Sequence, residues 1–372
     1  MQVGTLFEQQ EDFAGLRTIP ELRELALHGL THMYVPKQSL FCQTYVRTKS
    51  GMQRQGISHR YTMMSLLGLH RLERFGGQSP VPIEPVLRKM VDNTDWITCA
   101  GDLGLLLWTC GEILPENVPA VFRQVCATEA LSRFSDAQQG YTMEVAWLLT
   151  GLTACCEAGF TDLPGMSELI EATRRILSQN CDYTGIYGHR SADGTLAGYA
   201  RHRIGSFADQ VYPTIAFARL SQVFHDSEAR DMAIRTAVTI CDLQGPLGEW
   251  FWRYDARTGR VVSRYPVYSV HQHAMGPMML FAVSEATGYN FNDAVRDGLT
   301  WISGENEMRR SFVEPSLGLV WRCIYLGSVS KYFDSGFRLL YAGLGASKAG
   351  LKVRYECRPY ELGWLLYAFA GK

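Results

Sequence analysis

Two kinds of apolar segment alternate along this chain. One kind is apolar nearly all round: residues 59–75 (HRYTMMSLLGLHRLERF), 101–113, 141–159 (YTMEVAWLLTGLTACCEAG), 208–224, 271–288 and 359–371. The other sets apolar positions three to four apart with charges between them: residues 19–33, 83–93, 116–131, 167–180, 228–242 and 291–302. A helix apolar on every side is surrounded by protein, whereas an amphipathic one lies at a surface. Six of each in strict alternation predict an inner ring of helices wrapped by an outer ring, an all-α (α/α)6 toroid of six helical hairpins.

The connections refine this picture. Those from inner to outer helices are short: GGQSPVP, LP, HDS and YN. Those from outer to inner are long, notably 181–207, 243–270 and 303–358. In a toroid all connections of one kind emerge on one face, so the long loops gather around the N-terminal ends of the inner helices. Long ordered loops in a compact domain are usually functional. Residues 248–269 alternate aromatic and polar positions around an Asp-x-x-x-Gly turn, which predicts a β-hairpin over that face, and a second hairpin is predicted near 311–326. With no Pro/Ser-rich linker or charge block to divide it, the chain reads as one domain over residues 1–372.

Composition narrows the function classes. The chain has 372 residues, 47% of them hydrophobic, and a formal charge of −1, so bulk electrostatics imply neither a nucleic-acid nor a membrane partner. No basic-then-apolar leader opens it and no apolar run reaches about 18 residues, so a cytoplasmic protein without a membrane span is expected. Ten cysteines include no CxxC pair and several sit in apolar helical segments, which predicts buried reduced thiols and no metal site. His271-Gln272-His273 does not change this, because side chains two apart at a helix start diverge. There is no GxGxxG after a strand, P-loop, HExxH or GxSxG elbow, and no cofactor is expected.

The starts of the all-apolar segments are polar: His59, Arg60 and Tyr61; Asp95 and Asp102; Tyr141 and Glu144; Asp209, Gln210 and Tyr212; His271, Gln272 and His273; Arg358, Tyr360 and Glu361. Each has a plain structural use, since an acid in a first turn offsets orphan N–H groups and the helix dipole. Six such ends in one concavity, however, gather carboxylates, imidazoles, phenols and guanidinium groups into one cleft, which is how active sites look. The loops add positive charge. Residues 188–206 carry His189, Arg190, Arg201, His202 and Arg203 against Asp193, the next loop carries Arg253, Arg257, Arg260 and Arg264, and the last carries Arg322, Lys331, Arg338, Lys348 and Arg358 among others. With the helix N-termini these favour an anionic small molecule or oligosaccharide gripped by arginine, or else form a solvated basic rim. Trp250, Trp252, Tyr254, Tyr265 and Tyr268 either stack on sugar rings or pack the hairpin onto the barrel.

Two segments resemble known families. Phe207-Ala208-Asp209-Gln210-Val211-Tyr212-Pro213 resembles the W-x-D-x-x-Y-type helix start of six-hairpin glycosidases, above all unsaturated glucuronyl and rhamnogalacturonyl hydrolases, with Phe207 in place of the tryptophan. The resemblance implies a general acid/base at Asp209 and a second Asp opening an earlier inner helix, for which Asp102 is the candidate. Gln244-Gly245-Pro246-Leu247-Gly248-Glu249-Trp250 is similar to the QxxxGxW repeat of squalene and oxidosqualene cyclases, also helical toroids. Here it occurs once, and neither their DxDD proton donor nor a DDxxD cluster is present.

The leading expectation is an enzyme acting on an acidic, uronate-type carbohydrate. As a glycoside hydrolase it would use two carboxyl groups, Asp209 and Asp102, with Glu144 and Glu361 in reserve. As a lyase or epimerase it would use Tyr212, His271 or His273 as base, with Arg60 or Arg358 on the substrate carboxylate. A prenyl-diphosphate-handling enzyme and a non-catalytic glycan-binding protein are the alternatives on the same fold.

Overall fold

The computed structural model describes residues 18–127, 140–191, 202–327 and 350–372. Twelve principal α-helices lie among them: α1 (Ile19–Met33), α2 (His59–Arg74), α3 (Ile83–Asp92), α4 (Ala100–Ile113), α5 (Val118–Ala127), α6 (Thr142–Glu157), α7 (Met166–Asn180), α8 (Phe207–Phe224), α9 (Ser227–Asp242), α10 (Gly276–Thr287), α11 (Asn292–Ser303) and α12 (Pro359–Phe369). A π-helical turn, His271–Met275, leads into α10. The even-numbered helices are the all-apolar segments and the odd-numbered ones the amphipathic segments, so the predicted alternation is the observed one. The end of the predicted 116–131 helix lies outside the described residues.

The even-numbered helices pack side by side in the order α2, α4, α6, α8, α10, α12, and α12 returns to α2, closing an inner ring. The burial follows from composition. In α4 nearly every residue from Ala100 to Cys110 is buried, whereas α7 buries only Met166, Thr173, Ile176, Leu177 and Asn180 along one stripe. Two seams of the ring are closer than side chains allow. A Cβ on Gly104 of α4 would stand 2.3 Å from the Leu148 amide nitrogen of α6, and one on Gly68 of α2 would stand 2.0 Å from the Gly363 carbonyl oxygen of α12. Glycine is required at both because the backbones themselves touch there.

The last turns of all six inner helices close one end of the ring. Glu112 of α4 accepts from the Trp108 indole at 2.6 Å, from Arg219 of α8 at 2.9 Å and from the Tyr367 hydroxyl of α12 at 3.2 Å. Arg219 also pairs with Glu157 of α6. Arg71 of α2 lies 4.6 Å over the Tyr367 ring and meets Glu285 of α10 at 3.3 Å. Burial pushes the Glu112 carboxyl up, but Arg219 and the Trp108 indole outweigh it and hold the group below the ordinary carboxylate range.

The loops at the opposite end carry small antiparallel sheets. β1 (Tyr34–Val35), β2 (Leu40–Thr48) and β3 (Gly51–Ile57) precede α2, and β2 also pairs with β12 (Glu356–Cys357). The hairpin predicted over 248–269 is β5 (Arg253–Asp255) with β6 (Arg260–Ser263), and β5 also takes β4 (Ile204–Ser206) on its other edge. β10 (Cys323–Leu326) joins β7 (Val267–Tyr268) to β11 (Leu351–Arg354). The second predicted hairpin is β8 (Val313–Glu314) with β9 (Leu319–Val320). The long β2–β3 hairpin has no counterpart in the sequence-based expectation. Among the described residues nine cysteines are free, and burial pushes Cys42, Cys99 and Cys110 up to about 12. No helix among the described residues is long and apolar enough to cross a membrane.

Candidate active site

The mouth of the ring is built from the first turns of the inner helices. Asp102 sits in the first turn of α4, where its carboxylate reaches back to accept the Thr98 amide and the Thr98 hydroxyl, each at 2.9 Å. Its other oxygen pairs with the guanidinium of Arg60, from the first turn of α2. Arg60 also reaches Cys99 Sγ at 3.0 Å and lies 5.7 Å over the Trp147 ring of α6. Burial raises the Asp102 carboxyl, but the Arg60 ion pair and the Thr98 donors prevail and hold it below its ordinary value, so it stays ionised. Glu144 of α6 closes this group. Its Cγ lies 2.9 Å from where a Gly101 side chain would begin, and its charge acts on both Arg60 and Cys99. His59 stacks on Trp96, centroids 5.0 Å apart and planes within 4°.

Asp209 is fully buried at the start of α8. Its Oδ2 accepts the Ser206 amide and hydroxyl, both at 2.7 Å, while Ser206 Oγ accepts the Asp209 amide in return, a complete capping box. The same oxygen meets His189 Nδ1 at 3.0 Å, and His189 packs against Tyr141 at 5.3 Å. Tyr212, on the same face of α8, is buried too, and its hydroxyl accepts the Trp364 indole N–H at 3.0 Å. Trp147 packs edge-on to Tyr212 at 5.1 Å, giving the mouth an aromatic floor.

Several sequence-selected residues have structural duties. Gln210 accepts the Tyr187 amide and donates to the carbonyls of Tyr187 and Ser206. Gln272 does the same for Trp250 and Tyr268. Each amide thereby stitches a loop strand to a helix start. Trp250 is fully buried, stacked 5.9 Å from Phe207, with its indole on the Ile240 carbonyl. Gln244 of the QxxxGxW segment donates to the carbonyls of Gly248 and Ala294. Arg203 pairs with Asp255 beside the β5–β6 turn, and Arg253 lies 4.3 Å over Trp252.

A third cluster lies where the last loop enters α12. Glu361 is fully buried and pairs with Arg322, which also meets Glu356 at 3.1 Å and lies 5.0 Å over the Tyr268 ring. Burial pushes the Glu361 carboxyl above its ordinary value although Arg322 pulls it down. Arg358 donates to the Tyr61 hydroxyl at 2.8 Å, and Tyr360 packs on the Tyr61 ring at 4.7 Å. His271 packs on Phe207 at 4.4 Å, and burial depresses it to about 3; His273, wholly buried, is depressed to about 4 for the same reason. Arg322 was one arginine among many in the sequence, since its partner Glu361 lies 39 positions away and leaves no local spacing to read. Arg201, Asp193, Lys331, Arg338 and Lys348 lie outside the described residues.

Buried polar atoms at this end without a hydrogen-bond partner include Asp209 Oδ1 and Glu361 Oε2. Among the described residues no group of three or more His, Cys, Asp or Glu side chains is placed to hold a metal ion.

No family model and no curated protein matches the chain. Solved structures do. The unsaturated glucuronyl hydrolase specific for heparin matches with a TM-score of 0.59 at 12% identity, covering 95% of this chain and 96% of that one. The unsaturated glucuronyl hydrolase of Bacillus sp. GL1 matches with a TM-score of 0.59 at 14% identity, covering 94% and 96%. A possible member of the GH105 family from Klebsiella pneumoniae matches with a TM-score of 0.60 at 11% identity, covering 100% and 98%. The chain therefore has the (α/α)6 toroid fold of these structures, as the resemblance at residues 207–213 implied.

Proposed function

We propose that the protein is a glycoside hydrolase acting on an acidic, uronate-type carbohydrate at the mouth of the ring. One observation carries the reading: Asp102 and Glu144, from neighbouring inner helices, both act on the Arg60 guanidinium, Asp102 by direct ion pair and Glu144 by its charge. Glycoside hydrolysis needs two carboxyl groups in different protonation states. Asp102, held ionised by Arg60 and Thr98, is the anionic member, and half-buried Glu144 on the neighbouring helix is the second carboxyl. On sequence Asp209 stood in that place. Its Oδ2 is taken by the capping box and His189, and on this reading Asp209 positions His189. Arg358, steadied by Tyr61, supplies the charge for the uronate carboxylate. The fold neighbours support this substrate class: one, from Streptococcus agalactiae, is a glucuronyl hydrolase mutant solved with dGlcA-GalNAc6S.

A panel of saturated and unsaturated uronyl disaccharides, assayed for release of reducing sugar, tests the reading. Turnover by the native protein that is lost in both Asp102→Asn and Glu144→Gln is the expected result; full turnover in either variant refutes the assigned pair. A second chemistry has one observation in its favour: His189, with Nδ1 on Asp209, is oriented as a base for C5–H abstraction. Elimination creates a conjugated double bond, so a rise in ultraviolet absorbance with a saturated uronide would point to it instead.

A further inference from the structure

We infer that a groove beside the mouth is a second sugar subsite, which takes a neutral pyranose unit linked to the uronate; this rests on the glycoside reading above. The groove is a cavity of about 360 Å³ between the β1–β2 turn, the end of α3, the loop before α4 and the first residue of α2. That volume is at the lower end of small-ligand sites, about 300–1,000 Å³. Its flat wall is the His59–Trp96 stack, and the Trp96 indole N–H donates to the Met90 carbonyl at 3.2 Å, which fixes the ring plane. Flat, anchored aromatic faces are what the apolar face of a pyranose packs against.

The polar lining matches hydroxyls rather than a charge. Lys89 Nζ donates to Ser39 Oγ at 2.6 Å, and Asp95 also lines the groove. Asn93, whose Oδ1 accepts the Asp95 amide at 3.0 Å, adds an amide to the lining. Ser39 holds φ at 57°, a left-handed conformation that costs a non-glycine residue about 1–2 kcal/mol. Such backbone is retained where the surroundings use it, and here it presents the hydroxyl to Lys89. The groove also leads to the chemistry. The His59 ring in its wall stands within reach of the Asp102 charge, and Trp96 stands two residues before Thr98, which holds Asp102. A ring seated in the groove is the leaving-group side of a bond cleaved at Asp102.

The test compares a uronyl-hexose disaccharide with a uronyl fluoride, whose leaving group has no ring to seat. Trp96→Leu should lower the ratio of kcat/KM for the disaccharide to that for the fluoride about tenfold, and Lys89→Ala should lower it a few-fold. Unchanged ratios in two variants that melt like the native protein would overturn the subsite. If the native protein cleaves neither compound, the hydrolase reading falls, and the subsite is judged by calorimetric titration with cellobiose and lactose. Binding to the native chain that Trp96→Leu abolishes sustains it; no binding to the native chain ends it.

Discussion

The two ends of the ring use the same residue types to opposite effect. At the closed end, Glu112 has three donors, Arg219 has two carboxylates, and the charges form a circuit through the last turns of all six inner helices. At the mouth, Asp209 Oδ1 and Glu361 Oε2 are buried without a hydrogen-bond partner. Buried polar atoms are nearly always satisfied, and leaving one unmet costs about 1–3 kcal/mol. The first end is a polar plug that holds helices together. The second leaves two buried carboxylate oxygens unpaired, which the plug does not.

The sharpest way to break this contrast is Asp102→Asn. It keeps shape and removes the charge, so turnover should fall by about 10²–10⁴ while the melting temperature moves little. A loss of folding with no separate loss of turnover per folded molecule would make Asp102 a second plug residue. Next in size is Arg219→Met at the closed end, which strands Glu112 and Glu157 and should cost about 3–5 kcal/mol in urea unfolding. Activity per folded molecule should be kept; a large drop would mean the plug shapes the mouth.

Acid separates the ends more gently. His271 and His273 have folded values near 3 and 4, below the ordinary 6.5, so the unfolded chain binds more protons than the native one in that window. Their contribution to stability is whole above pH 6.5 and drains as pH falls towards 4, at about 1.4 kcal/mol per unit of depression. Glu361, raised by burial, runs the other way and offsets part of it. Glu112, depressed by Arg219, weakens only as pH falls below the ordinary 4.5. Thermal melts from pH 7 to 5 should therefore decline, and His273→Gln should flatten the decline; an unaltered slope would remove His273 from it. The smallest effect is expected from Arg358→Ala. It should raise KM about tenfold for an acidic substrate, with little change for its neutral amide, and added salt should shrink the difference. Equal effects on both substrates would contradict the carboxylate role.

The ring was legible because each helix carries its own environment in its composition: α4 is apolar all round and α7 along one stripe. The β5–β6 hairpin was legible because Asp255 and Gly259 bracket a local turn. The β2–β3 hairpin was not, since its outer partner, Glu356–Cys357, is some 300 residues away and β3 is mostly polar and exposed. In the mouth, residue types at helix starts pointed to Asp102 and Arg60, which the structure joins. What one sequence could not show was occupancy. Gln210 and Gln272 look like ligand-binding amides until the loop backbones they clamp are seen, and Glu144 gains its place only from the closeness of α4 to α6.

That closeness bears on the proposed pair. Asp102 and Glu144 ride on helices whose spacing is set by Gly104 against Leu148, backbone on backbone, with no side chain between to yield. Whether a glycosidase inverts or retains its anomeric centre depends on the gap between its carboxyls, about 5–5.5 Å for retention and 6.5–9.5 Å for inversion. Gly104 is thus a gauge. A single methyl there, touching no substrate, would force the two helices apart and carry the proposed pair with them.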